Sequence, residues 1–135
     1  MLKKVKAQEM YQISNVVKRL SNLPLPVKIA YGLSKNLKTI DREVEILNVS
    51  RQKLIDEFAE RDENGKIVML SEIEIKLKEE TRDEFNDKFK EFLEMDVEFD
   101  VFTISINQFT AADIKLTPAE MTVLDFIFDM EEIKN

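Results

Sequence analysis

A single apolar seam in the first half of the sequence constrains the fold more than any other feature. Between about residues 26 and 62, apolar side chains recur at alternating steps of three and four, which places them along one side of a helix. The pattern predicts one long helix over about 26–62. The members of the seam are Ala30, Leu33, Leu37, Ile40, Val44, Leu47, Arg51, Leu54 and Phe58. Three neighbouring isoleucines widen it, which favours a coiled-coil-like helix packed in a domain over a bare two-stranded rod.

Residue types that favour helix ends bound this predicted helix. Proline is tolerated in the first turn of a helix, and Pro24 and Pro26 stand at its start. Asn64 and Gly65, which both tolerate left-handed backbone, stand at its end. About 36 residues at about 1.5 Å each make a rod of about 54 Å, whereas a compact chain of this length has a radius of gyration of about 14 Å. We therefore expect the rod to overhang, to bend or to pair with another chain.

Arg51 is the one charged member of the seam, and two interpretations of it stand. Its side chain lies along the seam with its head in water, or it forms a register-setting ion pair with an acidic residue of a partner helix. A first helix, predicted over 5–21, is expected to fold back along the start of the rod. The end of the rod then needs cover from downstream residues or from another subunit. The predicted interaction residues there are Leu47, Arg51, Leu54 and Phe58.

Shorter elements are predicted downstream of the Asn-Gly turn. Residues 67–70 and 73–77 predict two short strands, and the second alternates apolar and charged residues as strands do. Ser71 followed by Glu74 also fits the start of a helix. Thr81 carries the capping pattern of a further helix, and the aromatic residues that share one face of that helix are Phe85, Phe89 and Phe92.

The sequence after that helix predicts a strand and then a loop. Residues 96–106 alternate as a strand, and the alternation slips by one at Val101–Phe102, which indicates a bulge or bend. Residues 107–116 predict a loop.

The last predicted helix has the clearest local signal in the chain, because Thr117, Pro118 and Glu120 give an N-cap, a proline in the first position and a capping box. This helix carries apolar residues around most of its circumference. It is therefore either a central helix of the fold or a helix that binds a partner or a second copy. One stripe consists of Met121, Leu124, Ile127 and Phe128. The predicted interaction residues are those of the other stripe, Val123, Phe126 and Met130.

Together these elements predict an α+β fold. A helical hairpin with one long helix (about 26–62) packs with a small antiparallel sheet and two further helices. A single domain over 1–135 is predicted, with the helical hairpin in 1–62 and an acidic α+β part in 63–135.

The net charge of −7 is unevenly distributed along the chain. Residues 1–62 carry 12 Lys or Arg and 8 Asp or Glu, a balance of +4, whereas residues 63–135 carry 8 and 19, a balance of −11. Three interpretations follow. The two parts attract each other within or between chains; the basic part contacts nucleic acid; or the acidic part mimics DNA or docks a basic partner.

The composition gives little support to catalysis. The chain has no cysteine, no histidine and only two glycines, so it lacks a thiol, the commonest general base and a phosphate-binding glycine loop. Glu74 and Lys76 have the spacing of a metal-dependent nuclease, but a solvent-facing strand shows the same pattern. We predict no catalytic, cofactor-binding or metal-binding residues. No stretch approaches the ~20 apolar residues of a membrane span.

Several short motifs resemble a family of small uncharacterised proteins from tailed phages and prophages of low-GC Gram-positive bacteria. The motifs that carry the resemblance are Leu25-Pro26-Val27-Lys28-Ile29-Ala30-Tyr31, Leu33-Ser34-Lys35-Asn36-Leu37, Arg51-Gln52-Lys53-Leu54-Ile55, Asp62-Glu63-Asn64-Gly65-Lys66, Glu84-Phe85-Asn86 and Leu116-Thr117-Pro118-Ala119-Glu120. They cover most of the chain and mark helix ends and turns. The resemblance implies a phage origin and no particular activity.

The sequence thus predicts a non-enzymatic phage interaction or assembly protein that acts through helical surfaces in the host cytoplasm. Its expected partner is a second copy or another phage or host protein, and neither a nucleic acid nor a membrane is expected. The alternative is an acidic inhibitor of a host defence or regulatory DNA-binding protein.

Overall fold

The computed structural model describes residues 1–129 and shows an α+β fold, as predicted. The helices are α1 Ala7–Ser21, α2 Val27–Phe58, α3 Arg82–Leu93, α4 Ile106–Ala111 and α5 Pro118–Leu124, with 3-10 turns at Glu79–Thr81 and Asp125–Ile127. The strands are β1 Leu2–Lys6, β2 Asp96–Asp100, β3 Ile104–Ser105 and β4 Phe128–Asp129. The chain divides into two compact units. The first unit contains residues 1–44 and those from 96 onward, and the second contains 45–95. The sequence predicts one domain with parts 1–62 and 63–135. That division differs from the bounds of these two units, and the single domain stays a prediction.

The long helix is confirmed as one unbroken element of 32 residues, Val27–Phe58. Its length at about 1.5 Å per residue is about 48 Å. The helix begins directly after Pro26, whose carbonyl accepts a hydrogen bond from the Ala30 N–H at 2.9 Å. It ends four residues before the predicted limit, because the chain from Ala59 onward is extended and pairs with later segments.

The first unit contains an antiparallel pair of strands and a pair of helices that pack against each other. Strand β1 pairs with β2 from Leu2↔Asp100 to Lys6↔Asp96, and α1 packs against α5. The prediction of a helix from residue 5 is wrong in its first turn, because Val5 belongs to β1 and pairs with Val97. The largest fully buried side chains all belong to this unit: Met10, Val17, Leu20, Ile29, Leu33, Ile40, Leu124 and Ile127.

Three extended segments of the second unit pair with one another in a closed triangle. The Glu60 N–H donates to the Lys76 carbonyl, the Lys76 N–H to Val68, and the Val68 N–H to Glu60, at 2.8, 2.9 and 2.8 Å. The predicted strands 67–70 and 73–77 are extended as expected, but they form isolated bridges and no regular strand. Each segment pairs with both of the others, so no two of them share a long ladder.

The aromatic face of α3 is confirmed as packing surface within the second unit. The rings of Phe58 and Phe85 lie 5.7 Å apart, those of Phe85 and Phe89 5.5 Å, and those of Phe89 and Phe92 5.9 Å. The predicted cap at Thr81 is wrong. Thr81 ends a 3-10 turn and makes no capping hydrogen bond, and its buried hydroxyl has no partner within residues 1–129.

The segment after β2 confirms the expected bend and departs from the prediction in two other places. The predicted strand 96–106 is interrupted at 101–103, where the bend was expected, and continues as β3. The predicted loop 107–116 instead begins with α4, whose N-cap Ser105 accepts a hydrogen bond from the Gln108 N–H. The last helix ends at Leu124, because Phe128 pairs with Ile104 in a parallel β-bridge and so draws the chain out of the helix.

Candidate interaction surfaces

Two exposed aromatic rings form an ordered cluster on the first unit. Tyr31 and Phe102 are 55% and 40% exposed, and their rings meet edge to face at 5.8 Å. The ammonium group of Lys35 lies 5.2 Å from the Tyr31 ring and 5.1 Å from the Phe102 ring. A cation shared by two rings is attracted to both of their π faces, which fixes the arrangement at the surface.

Buried contacts hold Phe102 in this position. Asn36 is 3% exposed, and its side-chain amide both donates to the Phe102 carbonyl and accepts from the Phe102 N–H. Gly32 lies one turn earlier on α2, where an added Cβ would come 2.8 Å from Cγ1 of Ile104. Glycine is therefore required at this position for the segment after β2 to approach the helix closely.

The exposed side of α2 in this unit carries a row of cations. Its members follow one another at steps of three and four, so they lie on one side of the helix. We call this surface the basic face, and it consists of Lys28, Tyr31, Lys35, Lys38 and Arg42 together with the neighbouring Phe102. No acidic residue occurs between residues 27 and 40, and the next one, Asp41, pairs with Lys18 at 3.7 Å. This face is therefore locally positive on a chain of net charge −7.

Shallow cavities flank the basic face. Lys35, Lys38 and Phe102 line one of about 540 Å³, and Lys28, Tyr31 and Phe102 line another of about 240 Å³. A third cavity of about 360 Å³ lies between the start of α2 and α4, beside Val27, which is 84% exposed. The first unit thus presents apolar and cationic groups side by side.

The outer side of α3 in the second unit has the opposite charge. We call it the acidic face, and it consists of Glu84, Asp87, Glu91 and Glu94, which are exposed and follow one another at steps of three, four and three. The phenylalanines of α3 occupy the other side of the helix, so the carboxylates are directed into solvent. Glu84 forms an exposed ion pair with Lys88 at 3.5 Å.

The tip of the triangle in the second unit is also apolar and exposed. Ile73 is 90% exposed, and Leu70 and Met69 are 62% and 47% exposed. The turn is ordered by Ser71, whose hydroxyl accepts hydrogen bonds from the N–H groups of Ile73 and Glu74. This tip is a second candidate contact for a protein partner.

The predicted interaction residues of α2 lie on one side of the helix but differ in exposure. Leu47 and Phe58 are buried, at 2% and 3% exposure, so the described chain itself covers them. Leu54 is half-buried and Arg51 is exposed. The structure therefore does not bring these four side chains together as one accessible surface, and their part in binding stays a prediction.

The predicted residues of the last helix line a small cavity of the first unit. Val123 and Phe126 are half-buried and face a space of about 230 Å³, where the ammonium group of Lys3 lies 5.7 Å from the Phe126 ring. The third, Met130, lies outside the described residues. The N-terminal strand thus covers part of the face that the sequence predicts as an interaction surface.

The acidic side chains show no arrangement typical of a metal site. Within residues 1–129, no group of three or more acidic residues is placed to hold an ion. Lys76, the proposed proton donor of a nuclease, pairs with Glu60 at 3.1 Å.

Among the carboxyl groups of the described residues, Glu120 has a shifted pKa, and it belongs to a helix cap. Hydrogen bonds from the Thr117 N–H and from the Arg19 side chain lower the pKa of Glu120 below its ordinary value. The Glu120 N–H in turn donates to the Thr117 hydroxyl at 3.1 Å, so the predicted capping box is confirmed. This group stabilises the contact of α5 with α1.

Sequence reasoning missed the basic face, although its signal is present in the sequence. The cations on α2 keep the same three-and-four spacing as the apolar seam, displaced to the opposite side of the helix. Counting charge by segment showed an excess of cations but not their alignment. The position of Phe102 beside Tyr31 depends on tertiary structure, so no pattern in the sequence indicates it.

No protein-family model, curated protein or solved structure matches the chain. The resemblance to a phage family therefore stays a prediction. Among the helices of residues 1–129, none combines the length and the apolar character that crossing a bilayer requires.

Proposed function

We propose that this chain is a non-enzymatic interaction protein that assembles through exposed faces of its helices. The observation that supports the proposal best is the pair Tyr31 and Phe102, which are exposed yet held in place by Lys35 and Asn36. Aromatic side chains such as these are enriched at the centres of protein interfaces. A phage origin and a place in particle assembly remain part of the proposal and rest on the resemblance of the sequence motifs.

Self-association is the form of assembly that we propose first. The long α2 displays polar and apolar groups over 32 residues, and the chain carries both a basic and an acidic face. Sedimentation velocity of the full chain between about 1 and 100 μM, the range of micromolar affinities, tests this. We expect the weight-average mass to rise with concentration. A monomer at every concentration would overturn self-association.

The aromatic pair provides the matching mutational test. We expect Tyr31→Ser/Phe102→Ser to weaken association by about tenfold or more. The control variant Leu23→Ser/Met95→Ser removes two exposed apolar side chains that lie outside the candidate surfaces and should leave association unchanged. Loss of association in both variants would point to general hydrophobic contact and contradict a defined interface.

The second candidate function is inhibition of a basic, DNA-binding partner. It is favoured by the acidic face, because its four carboxylates lie on one side of α3. Its test is binding of a fluorescent oligolysine peptide at low salt, measured by anisotropy, to the wild type and to Asp87→Asn/Glu91→Gln. Equal binding by the two proteins would remove the basis of this candidate.

A further inference from the structure

The basic face and the acidic face are complementary in charge and in spacing. Lys35, Lys38 and Arg42 follow one another at steps of three and four on α2. The carboxylates of Glu84, Asp87 and Glu91 follow one another at the same steps on α3. Each set spans eight residues, and its first and last members lie about 10 Å apart along the helix. Two helices packed side by side can therefore pair these charges one to one.

From this match we infer that the basic face of one copy binds the acidic face of a second copy. The inference rests on the proposed self-association and names the surfaces that make it. The interface is heterologous, because each copy contributes a different face. Such an interface leaves one face free at each end, so it continues into a chain of subunits or closes into a ring.

Four of the six charges that the inference pairs are unpaired among the described residues. The other two already have neighbours: Lys35 lies over the Tyr31 and Phe102 rings, and Glu84 pairs with Lys88 at 3.5 Å. Among the described residues, Lys28, Lys38 and Arg42 form no ion pair, and neither do Asp87 and Glu91. All of them are exposed. An isolated surface pair contributes little, but several pairs around the Tyr31 and Phe102 rings combine charge with apolar contact. The expected association is specific, weak and sensitive to salt.

A single-stranded nucleic acid is the competing occupant of the basic face, because cations and aromatic rings also bind such strands. Two observations favour carboxylates instead. The rings of Tyr31 and Phe102 meet at 87°, so they form no parallel platform for bases, and Lys35 already lies over both. The net charge of −7 also repels a polyanion at long range.

Two neutralised variants test the inference. The first, Lys35→Gln/Lys38→Gln/Arg42→Gln, keeps the acidic face. The second, Glu84→Gln/Asp87→Asn/Glu91→Gln, keeps the basic face. We expect each variant alone to be monomeric at concentrations where the wild type associates. Mixed together they have one intact pair of faces, so we expect a 1:1 dimer and no larger species.

Matched control variants separate these faces from charge in general. They are Lys4→Gln/Lys53→Gln/Lys115→Gln and Glu63→Gln/Glu72→Gln/Glu79→Gln, which change exposed residues outside both faces. Both should associate as the wild type does. Circular dichroism verifies that every variant is folded, and a variant that fails to fold is replaced by the corresponding single substitution at Lys38 or Asp87.

The outcomes distinguish the two levels of the proposal. A wild type that remains monomeric contradicts self-association itself. A wild type that associates while the neutralised variants associate equally well, or a mixture that gives no dimer, contradicts only the pairing of these two faces. Salt-sensitive binding of a fluorescent oligothymidylate to the wild type, lost in the first variant, assigns the basic face to nucleic acid and overturns the inference.

Discussion

The side-chain amide of Asn36 pairs with the backbone of Phe102 through two hydrogen bonds, both of 2.8 Å. A buried amide thus provides the donor and the acceptor that a neighbouring strand would supply to residue 102. Residue 102 lies between β2 and β3 and belongs to neither of the two strand pairings of the described chain. The contact therefore satisfies the backbone at the bend and positions the Phe102 ring on the basic face.

We expect Asn36→Leu to lower the free energy of unfolding by about 1–3 kcal/mol, because it leaves a part-buried N–H and a part-buried carbonyl without these partners. The measurement is urea unfolding followed by circular dichroism. Asn15→Ala, on the exposed side of α1, is the control and should change stability by less than about 0.5 kcal/mol. Equal effects of the two substitutions would contradict the role of Asn36.

Replacement of Gly32 by alanine tests the close approach of Ile104. Alanine favours a helix by about 1 kcal/mol over glycine, but overpacking a buried contact costs about 1–3 kcal/mol. We expect Gly32→Ala to be destabilising on balance. Ile104→Ala in the same chain should reverse part of that loss, so that the two substitutions are not additive in a thermal-unfolding cycle. Additive effects would show that the close approach of Ile104 does not depend on the absence of a Cβ at residue 32.

The capping box of α5 predicts a pH dependence. The pKa of Glu120 is lowered in the folded state by hydrogen bonds from Thr117 and Arg19. Its contribution to stability is therefore fully present above the ordinary glutamate pKa of about 4.5, and it is lost as the pH falls from there through the lowered pKa of the folded state. We expect the difference in melting temperature between the wild type and Glu120→Ala to be present at pH 7 and to shrink toward pH 3. A difference that stays constant with pH would contradict this assignment.

Two threonines that the sequence presents as N-caps should respond oppositely to valine. Thr117→Val removes a capping hydroxyl and should destabilise the protein by about 1 kcal/mol. Thr81→Val removes a buried hydroxyl that has no partner in the described chain, so it should be neutral or stabilising by up to about 1 kcal/mol. Urea unfolding of the two variants measures both effects, and loss of stability in Thr81→Val would contradict the observed absence of a hydrogen bond.

The aromatic cluster of the second unit predicts where truncation is most harmful. Phe58 is buried and lies edge to face with Phe85, so Phe58→Ala should cost about 3–5 kcal/mol. Ile73→Ala truncates a side chain that is 90% exposed and should have little effect. Hydrogen exchange of the amides of residues 45–95 measures the change within this unit. Unchanged exchange rates in Phe58→Ala would show that the cluster does not support the fold.

The elements that could be predicted from the sequence are those specified by neighbouring residues. The apolar seam required α2, because a helix places residues three and four apart on one side. Thr117, Pro118 and Glu120 fixed the start of α5, because a capping box closes within four residues. The slip at Val101–Phe102 indicated the bend between β2 and β3. In these cases the hydrogen bonds or the packing face follow from local spacing alone.

The tertiary structure decided the elements whose partners lie far away in the chain. Val5 became part of a strand because Val97 pairs with it, and Phe128 left the last helix because Ile104 pairs with it. The same holds for the candidate site: the sequence determined that α2 carries an apolar seam and a row of cations. Only the folded chain placed Phe102 beside Tyr31 and covered Leu47 and Phe58. Backbone pairing and burial depend on residues that lie far apart in the sequence, whereas the periodicity of a helix can be read within the segment itself.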